Sequence, residues 1–290
     1  MDLKGTRTEK NLEAAFARES QIGNAYIYYA EAAQKEGHAH IADAFLEIAQ
    51  NEGEHARTHF EFLDRIQDTG MNLEAAVKGE RFEHSTMYPE FSEMAKEEGF
   101  EEIADCFSRI GKVEARHEEI ILKLMKSVNG PIISKERTVG HSTVTLAQLM
   151  LPHHANPGGY VHGGEIMKLM DNAAAVVALR HAHANVVTAK VEEINFLKPV
   201  RVGDMVQVHA LLTFVGRSSM EIRVQVETEN LSTEERQEAL SAYFIYVALD
   251  KAGKSTEVPQ LLITTEEGQR LFEEGKKRYE ERMKHLDRSL

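Results

Sequence analysis

The sequence predicts two structural units of different fold class: an N-terminal four-helix bundle and a C-terminal α+β domain. The first prediction rests on a Glu-x-x-His motif that occurs at Glu52–His55 and again 62 residues later at Glu114–His117. The flanking residues repeat with the same offset, which indicates two related helix pairs. The second prediction rests on a change to two-residue alternation of apolar and polar side chains, which begins after a break at Asn129–Pro131.

Length and composition set limits on both units. With 290 residues the chain is long enough for two domains with cores of their own. A net charge of −13 disfavours a general nucleic-acid binder, which needs a basic surface. The single cysteine, Cys106, excludes an internal disulfide and a multi-cysteine metal site. No apolar run approaches the roughly 20 residues of a membrane span, so we expect a soluble, cytoplasmic protein.

Apolar residues from Thr8 to Val128 recur in steps of three and four, which predicts helices throughout this region. Breaks are expected near Gly37, Gly70 and Gly99, and Pro89 should bend the third helix because it lacks a backbone donor. Carboxylates lie on each of the four apolar stripes. A buried, unpaired carboxylate costs several kcal/mol, so a compensating group is expected between the helices.

Each Glu-x-x-His motif places a carboxylate and an imidazole on adjacent turns of one helix face. Two such pairs, with glutamates from the other two helices, match the di-metal carboxylate site of ferritin-like bundles. Oxygen-rich ligands with two imidazoles suit iron or manganese. One pair alone is more often a solvated helix face. Two copies in register, with Glu19, Glu80 and Glu83 on matching stripes, favour the metal site.

Residues 1–128 resemble the rubrerythrins. The similar stretches are 5–11, 17–21, 52–56, 79–83 and 87–89. The resemblance implies a non-haem site with two iron ions, manganese being possible, that reduces hydrogen peroxide. It carries over seven metal ligands, Glu19, Glu52, His55, Glu80, Glu83, Glu114 and His117, with Tyr26 as a hydrogen-bond donor beside them. Many rubrerythrins end in a rubredoxin module with Cys-x-x-Cys motifs, and no such motif occurs here. An external electron donor such as rubredoxin is therefore expected.

The predicted organisation is a bundle at 1–128, a linker at 129–137, an α+β domain at 138–262 and a C-terminal helix at 263–290. The strand candidates are 141–151, 186–197, 204–215, 219–229 and 238–249. Between the first two lies one helix, Gly163 to His181, which is apolar nearly all round at 173–179. Such a helix should be wrapped by an antiparallel sheet. The C-terminal helix is interpreted as a solvated surface helix.

The loop before the single apolar helix is glycine-rich. Gly163 and Gly164 permit close backbone approach, and free N–H groups at a helix start favour developing negative charge. Asp171 lies about two turns along, where an aspartate is costly unless it is paired or used. Taken alone, a cap or a buried hydrogen bond explains Asp171 at least as well as catalysis. Glu165 is the alternative carboxylate, although its place in the first turn suits the helix dipole.

Residues from about 138 to 285 resemble the hotdog-fold acyl-CoA thioesterases, and most closely the brain-type cytosolic acyl-CoA hydrolases. The similar stretches are 162–164, 167–171, 180–181, 187–189, 194–196, 203–204, 258–261 and 272–276. Those relatives carry two hotdog domains, one of which supplies a catalytic asparagine and the other a catalytic aspartate. Here a single domain fills both positions, with Asn156 and Asp171. The resemblance therefore implies a homodimer, or a higher homo-oligomer, in which the two residues meet across an interface.

Thioester hydrolysis assigns roles to these residues. Asp171 would be general base or nucleophile, Asn156 would orient the water, and the Gly163–Gly164 helix start would hold the carbonyl oxygen. Candidates for binding the acyl-CoA substrate are His162, Arg180, Arg217 and Ser218, the last three being equally well explained as ordinary surface residues.

Three hypotheses about the whole chain remain open. The first is a bifunctional hydrolase and peroxidase, with a connection to oxidative stress. The second is a thioesterase whose bundle stores or senses iron or drives oligomerisation. The third is an acyl-CoA sensor without turnover, coupled to a peroxidase.

Overall fold

The structure, a computed structural model, describes residues 3–128 and 136–287. The chain divides into two compact units, Met1–Gly130 and Pro131–Leu290. Most of the predicted linker, residues 129–135, lies outside the described residues. In the described ranges, no helix is both long enough and apolar enough to cross a membrane.

The N-terminal unit is helical. Its helices are α1 (Arg7–Lys35), α2 (Ala39–Phe62), α3 (Thr69–Phe82), α4 (Tyr88–Glu97) and α5 (Glu101–Val128). Helix α1 packs against α2, which we call the first hairpin; α3 and α4 pack against α5, which we call the second hairpin. Side-chain caps fix two of the starts: Thr6 accepts from the Glu9 amide at 3.1 Å, and Asp68 accepts from the Met71 amide at 2.9 Å.

The sequence repeat is also a structural repeat. Gly37 and Gly99 end α1 and α4 with φ of 83° and 85°, and in each case the amide of the next residue donates the six-to-one hydrogen bond that closes the helix end. An aromatic triad follows the same offset. Tyr26, Tyr29 and Phe45 pack together in the first hairpin with ring centroids 5.8–6.1 Å apart. Their counterparts in the second hairpin are Tyr88, Phe91 and Phe107.

Two predicted helix breaks are displaced. The third helix is interrupted by a π-helical turn at Glu83–Met87, before Pro89. Pro89 lies in the first turn of α4, where its missing N–H needs no partner. Gly70 lies inside the first turn of α3, and the break precedes it at residues 63–68.

The buried core of the N-terminal unit is small. Its only buried apolar cluster among the described residues is Ala30, Ala33 and Ala42, with Phe45 packed against it. Larger apolar residues of the predicted inward stripes stay exposed by 39–57%: Ile41, Ile48, Ile103, Phe91 and Met94. Within residues 3–128 the two hairpins share no extended interface. The predicted helices are therefore present, but they pack as two separate pairs.

The C-terminal unit is an antiparallel sheet around one helix. Its strands are β1 (Glu136–Thr138), β2 (Val144–Leu149), β3 (Asn185–Phe196), β4 (Asp204–Val215), β5 (Ser219–Asn230), β6 (Glu235–Leu249) and β7 (Gln260–Leu262). The five-stranded sheet has the order β2-β4-β5-β6-β3, and β1 pairs in parallel with β7. The predicted first strand began too early, because residues Val139–Ser142 form a short helix, α6.

The single apolar helix is α7 (Gly163–Ala182), and it packs against the sheet. Its Met170, Ala174 and Val177 are fully buried in one continuous core with Leu212 and Ile222 of the strands. This arrangement confirms the predicted α+β class, in which a sheet wraps around a central helix.

The C-terminal helix α8 (Glu266–Asp287) is not solvated all round, so that interpretation was wrong for one of its faces. A Cβ on Gly275 would meet the Phe214 Cβ at 2.7 Å, so glycine permits the close approach of α8 to the sheet. Arg278 and Arg282 each reach the buried Glu221 carboxylate at 2.8 Å. Because this packed face carries charged residues that pair with a buried carboxylate, the composition of the helix did not indicate that the face is covered.

Candidate functional site

The first hairpin brings three of the predicted ligands together. Donor atoms of Glu19, Glu52 and His55 all lie within 4.8 Å of one another. The His55 Nδ1 atom lies 3.0 Å from a Glu52 carboxylate oxygen. A Cβ on Gly23 would lie 3.4 Å from the Glu52 Cβ, so a glycine on α1 leaves room for α2 beside the group. The His55 side chain is 61% exposed, which leaves this group open on one side.

The second hairpin forms a matching group. Donor atoms of Glu80, Glu114 and His117 also lie within 4.8 Å of one another, with His117 Nδ1 2.7 Å from Glu114. One oxygen of Glu80, Oε2, is buried and has no hydrogen-bond partner. Burial, followed by the neighbouring Glu114 carboxylate, raises the pKa of Glu80 above its ordinary value. Crowded carboxylates with an orphaned oxygen fit a divalent cation such as iron or manganese.

The structure therefore places six of the seven predicted ligands in two separate groups of three. The seventh, Glu83, starts the π-helical turn and belongs to neither group. It still lies close enough to act electrostatically: burial, followed by the charge of Glu83, raises the pKa of Tyr88. Tyr26 was predicted to donate a hydrogen bond to the site. In the described part of the chain its ring packs on Phe45, and its hydroxyl makes no hydrogen bond with a predicted ligand.

Sequence reasoning missed a polar cluster next to the second group. His84 Nε2 lies 2.6 Å from one oxygen of Glu118, and the Arg81 Nε donates to the other at 2.7 Å. These bonds, that of His84 foremost, hold the pKa of Glu118 below its ordinary value. Both His84 and Glu118 follow a ligand by four residues, Glu80 and Glu114. That spacing is the sequence signal that could have revealed the cluster.

In the C-terminal unit, Asp171 is held by two hydroxyl groups. Thr188 donates to Asp171 Oδ1 at 2.9 Å, and Tyr246 donates to the same oxygen at 2.6 Å. Thr188 and Tyr246 face each other on β3 and β6. Burial, followed by the hydrogen bond to Asp171, raises the pKa of Tyr246, so its hydroxyl stays protonated and keeps donating. This network joins α7 to two strands and fixes one carboxylate oxygen, Oδ1.

The loop before α7 uses its polar side chains locally. The side-chain oxygen of Asn156 accepts from the amides of Gly158 at 2.8 Å and Tyr160 at 3.3 Å. His162 caps α7, its Nδ1 accepting from the Gly164 amide at 3.1 Å. The Gly164 N–H, which was expected to be free, is therefore engaged. A Cβ on Gly163 would meet the Phe196 ring at 3.1 Å, which explains the glycine there.

The predicted substrate-binding residues have local contacts. His162 is engaged by its capping bond. Arg180 donates to the Thr143 carbonyl at 3.3 Å, Arg217 pairs with Glu257 at 3.1 Å, and the Ser218 carbonyl accepts from a β6 amide. In the described residues none of these contacts reaches Asp171, and none joins Asn156 to Asp171. A role in binding acyl-CoA stays a prediction for all four residues.

A helical unit with paired carboxylate–imidazole groups is thus joined to a hotdog unit with a held aspartate. Two family models match these units: the rubrerythrin model over residues 10–125 and the thioesterase superfamily model over residues 158–235. A rubrerythrin of Porphyromonas gingivalis is 45% identical over 139 residues, covering 43% of this chain and 70% of the relative. The chain belongs to the rubrerythrin family in its N-terminal unit and to the hotdog acyl-CoA thioesterases in its C-terminal unit.

The hotdog assignment is supported by sequence and structure. The human cytosolic acyl coenzyme A thioester hydrolase is 43% identical over 152 residues, which is 51% of this chain. The chain covers only 40% of that relative's length. Among solved structures, an apo-hexameric acyl-CoA thioesterase is 36% identical to this chain, with a TM-score of 0.50. The match covers 52% of this chain and 97% of the chain in that structure. Both predicted families are therefore confirmed.

Proposed function

We propose that the C-terminal unit hydrolyses acyl-CoA thioesters and that the N-terminal unit reduces hydrogen peroxide at a di-iron centre. The observation that carries the first activity is the held carboxylate of Asp171, fixed by Thr188 and Tyr246. A carboxylate fixed in this way is preorganised for one geometry of attack, which is how an enzyme lowers a barrier without ordering its groups during reaction. The name of the human relative supports both the substrate class and a cytoplasmic location.

The second oxygen of Asp171, Oδ2, is the one that acts. As general base it would take a proton from water while the water oxygen bonds to the thioester carbon. As nucleophile it would bond to that carbon itself. In either case the carbon–sulfur bond breaks and the released thiolate takes up a proton. In the nucleophilic route a water molecule then hydrolyses the acyl–aspartyl anhydride, which releases the acyl group and restores the Asp171 carboxylate. The products are a carboxylate and coenzyme A.

Asn156 and the start of α7 would position the substrate. The Asn156 side-chain oxygen holds its own loop, so its amide N–H groups are left to orient the water. Gly164 donates to His162, so we assign the carbonyl oxygen to the N–H of Gly163, the first residue of the helix, which has no acceptor within the helix. Arg180, Arg217 and Ser218 remain our candidates for the coenzyme.

Hydrolysis is tested by replacing Asp171 with asparagine. We expect Asp171→Asn to lower kcat/KM for an acyl-CoA by about 10²-fold or more. Glu165→Gln is the matched control, because Glu165 is the other carboxylate of the same helix and should keep most of the activity. Loss in the control with activity retained in Asp171→Asn would assign the chemistry to Glu165.

We further propose that each hydrolase site combines Asn156 of one protomer with Asp171 of another. Asn156→Ala and Asp171→Ala should each be inactive. After subunit exchange, half of the dimers are mixed and each carries one intact site of two, so about a quarter of the activity should return. If exchange is demonstrated and nothing returns, both residues act within one protomer.

For the N-terminal unit we propose two iron ions held by Glu19, Glu52, His55, Glu80, Glu114 and His117, with Glu83 as an additional ligand. When bound, the iron supplies the electrons that cleave the O–O bond, and two electrons with two protons convert hydrogen peroxide to two molecules of water. The protein's carboxylates neutralise the ions. A rubredoxin-type site cannot be built from one cysteine, so electrons come from a separate donor such as rubredoxin.

Metal analysis of the purified chain tests this centre. We expect about two iron ions per chain, lost in the double variant Glu52→Ala with Glu114→Ala. Glu54→Gln, an exposed neighbour on α2, should keep them. Peroxide consumption should require added rubredoxin beside a reductase. Turnover with the reductase alone would contradict the proposed donor, and stoichiometric metal in the double variant would contradict the ligand set.

A further inference from the structure

We propose that the metal centre is assembled between two copies of this chain, with the first hairpin of one copy packed on the second hairpin of the other. Each centre would then combine Glu19, Glu52 and His55 of one copy with Glu80, Glu114 and His117 of its partner. The inference depends on the proposed metal binding. In this arrangement a single chain cannot complete the site.

The length of the connection between the hairpins limits how one chain can fold. Ferritin-like bundles place both halves of the site at one level through a single long crossover that runs from one end of the bundle to the other. Glu52 lies ten residues before the end of α2 and Glu80 eleven residues after the start of α3. At 1.5 Å per helical residue, the crossover would have to span about 31 Å along the bundle.

The connection is too short for that span. It consists of residues 63–68, since α2 ends at Phe62 and α3 begins at Thr69. Seven residue steps reach at most about 25 Å when fully extended. They do not run straight either, because Asp64 has a φ of 52° and its amide bonds back to α2. The second hairpin therefore cannot fold back onto the first in the ferritin-like arrangement.

The ligand-bearing faces of the two hairpins are incompletely covered. Each hairpin carries three of the predicted metal ligands on a face where large apolar residues are exposed, including Ile48 of α2 and Ile103 of α5. Within residues 3–128 neither hairpin covers the other. Burying one such isoleucine stabilises a protein by about 1.5–3 kcal/mol. Covering both faces with a surface of matching shape would therefore stabilise the protein.

The repeat identifies that occupant as a second copy. The two hairpins share their aromatic triads, their helix ends and the positions of their ligands at one constant offset. A first hairpin can therefore pair with a second hairpin of another copy in the geometry that a bundle closed within one chain would have used. Reciprocal pairing closes a two-fold dimer and leaves no hairpin uncovered. It yields two equivalent metal centres per dimer.

Two variants that break opposite hairpins test the proposal. One is Glu52→Ala with His55→Ala, and the other is Glu114→Ala with His117→Ala. Alone, each should bind no iron(II) under anaerobic conditions. In a mixed dimer, the intact first hairpin of one copy meets the intact second hairpin of the other. Mixed dimers, isolated by two different affinity tags, should therefore hold half the iron of the unmodified dimer, as counted by mass spectrometry of the metal.

A matched control breaks the same hairpin in both copies. Glu52→Ala with His55→Ala is combined with Glu19→Ala with Glu52→Ala. Both centres of that mixed dimer contain a broken first hairpin, so no iron should return. Circular dichroism of every variant checks that the helices persist.

The possible results separate the arrangement from the metal function. If the unmodified chain binds iron and the opposite-hairpin dimer binds none, the centre closes within one chain and the proposal is overturned. If the unmodified chain binds no iron, the proposed metal function fails. The arrangement is then judged by crosslinking an equal mixture of light and heavy isotope-labelled copies. Crosslinks between residues 7–62 and 69–128 that join a light to a heavy copy support the exchange of hairpins, whereas crosslinks found only within one label refute it.

Discussion

The two units of this chain bury their apolar residues to very different degrees. In the C-terminal unit, α7 and the sheet enclose a continuous core in which Met170, Val177 and Ile222 are fully buried. In the N-terminal unit the buried cluster among described residues consists of three alanines, while isoleucines of the ligand-bearing faces remain exposed. The hotdog unit completes its core within one chain. The helical unit has the pattern of a bundle but only half of its packing partners.

The functional carboxylates of the two units differ in how completely their oxygens are hydrogen-bonded. Asp171 is satisfied by two hydroxyl donors from its own unit. Glu80 instead lies beside other carboxylates and has a buried oxygen without a hydrogen-bond partner. One site is preorganised by the fold alone. The other needs a cation and, by our inference, a second copy, because a buried carboxylate oxygen without a hydrogen bond is costly and His117, at 3.6 Å, lies beyond hydrogen-bond distance of it.

The largest expected effect on stability concerns the ion pairs that hold α8 against the sheet of the C-terminal unit. Glu221 is 1% exposed and accepts from Thr213, Arg278 and Arg282. Removing it leaves the partly buried Arg278 without a carboxylate partner and leaves Arg282 with Glu192 alone, so Glu221→Ala should lower the free energy of unfolding by about 3–5 kcal/mol. Urea unfolding measures the change.

The control for that change is on the same strand. Glu229 of β5 pairs with the exposed Arg236 at 3.4 Å, so Glu229→Ala should cost less than about 1 kcal/mol. Equal decreases in the free energy of unfolding for the two variants would mean that the attachment of α8 does not stabilise the C-terminal unit.

The second prediction compares the units directly through one isoleucine in each. Ile222 is fully buried in the sheet, so Ile222→Ala should cost about 2–5 kcal/mol at any protein concentration. Ile48 is 40% exposed in the chain. If a second copy covers it, the cost of Ile48→Ala should depend on concentration, since only the dimer buries the side chain.

Thermal unfolding at protein concentrations differing 100-fold makes this measurement. A cost for Ile48→Ala below about 0.5 kcal/mol at every concentration would show that its face stays solvated.

Local patterns were sufficient for some elements and insufficient for others. Alternation placed β4 at 204–215, and the Gly-Gly pair placed the start of α7 at Gly163, because strand and helix periods are properties of neighbouring residues. The π-helical turn before Pro89 was missed, because a proline marks a break without fixing its geometry. The partners of Asp171 could not be found locally either. They lie 17 and 75 residues away and meet only through sheet register.

The ligand set shows the same limit. The repeat predicted which glutamates and histidines belong together, and the structure brings six of them into two groups. It did not predict that the groups are separate, because periodicity shows which face a residue occupies but not which hairpin covers that face.

The third prediction concerns the hydroxyl network of the hydrolase site. Tyr246→Phe removes a 2.6 Å hydrogen bond to Asp171 Oδ1 while keeping the buried ring. We expect kcat to fall about tenfold with little change in KM, because the bond orients the carboxylate and does not bind substrate. Tyr243→Phe on the same strand is the control and should leave kcat unchanged. An increase in KM alone would place Tyr246 in substrate binding.

The smallest expected effect is a pH dependence that only the closed core of the C-terminal unit can produce. His181 of α7 is fully buried, and its Nε2 bonds to the Pro259 carbonyl at 2.7 Å. Burial is the main cause that lowers its pKa, with smaller contributions from the nearby Arg137, His141 and His183, while the bond to Pro259 opposes them. The ordinary pKa of histidine, which applies to the unfolded chain, is about 6.5.

The sign of the effect follows from this difference. Above about pH 6.5 the imidazole is neutral in both states, so its contribution to stability is constant. As the pH falls from about 6.5 towards the lower folded-state pKa, the unfolded chain binds a proton that the folded chain does not, and the free energy of unfolding decreases. Below the folded-state pKa both states are protonated and the decrease stops. His181→Gln keeps a donor for Pro259 but cannot titrate. Subtracting its urea-unfolding profile from that of the unmodified protein should therefore leave a decrease confined to this window, and a flat difference would show that His181 is protonated equally easily in both states.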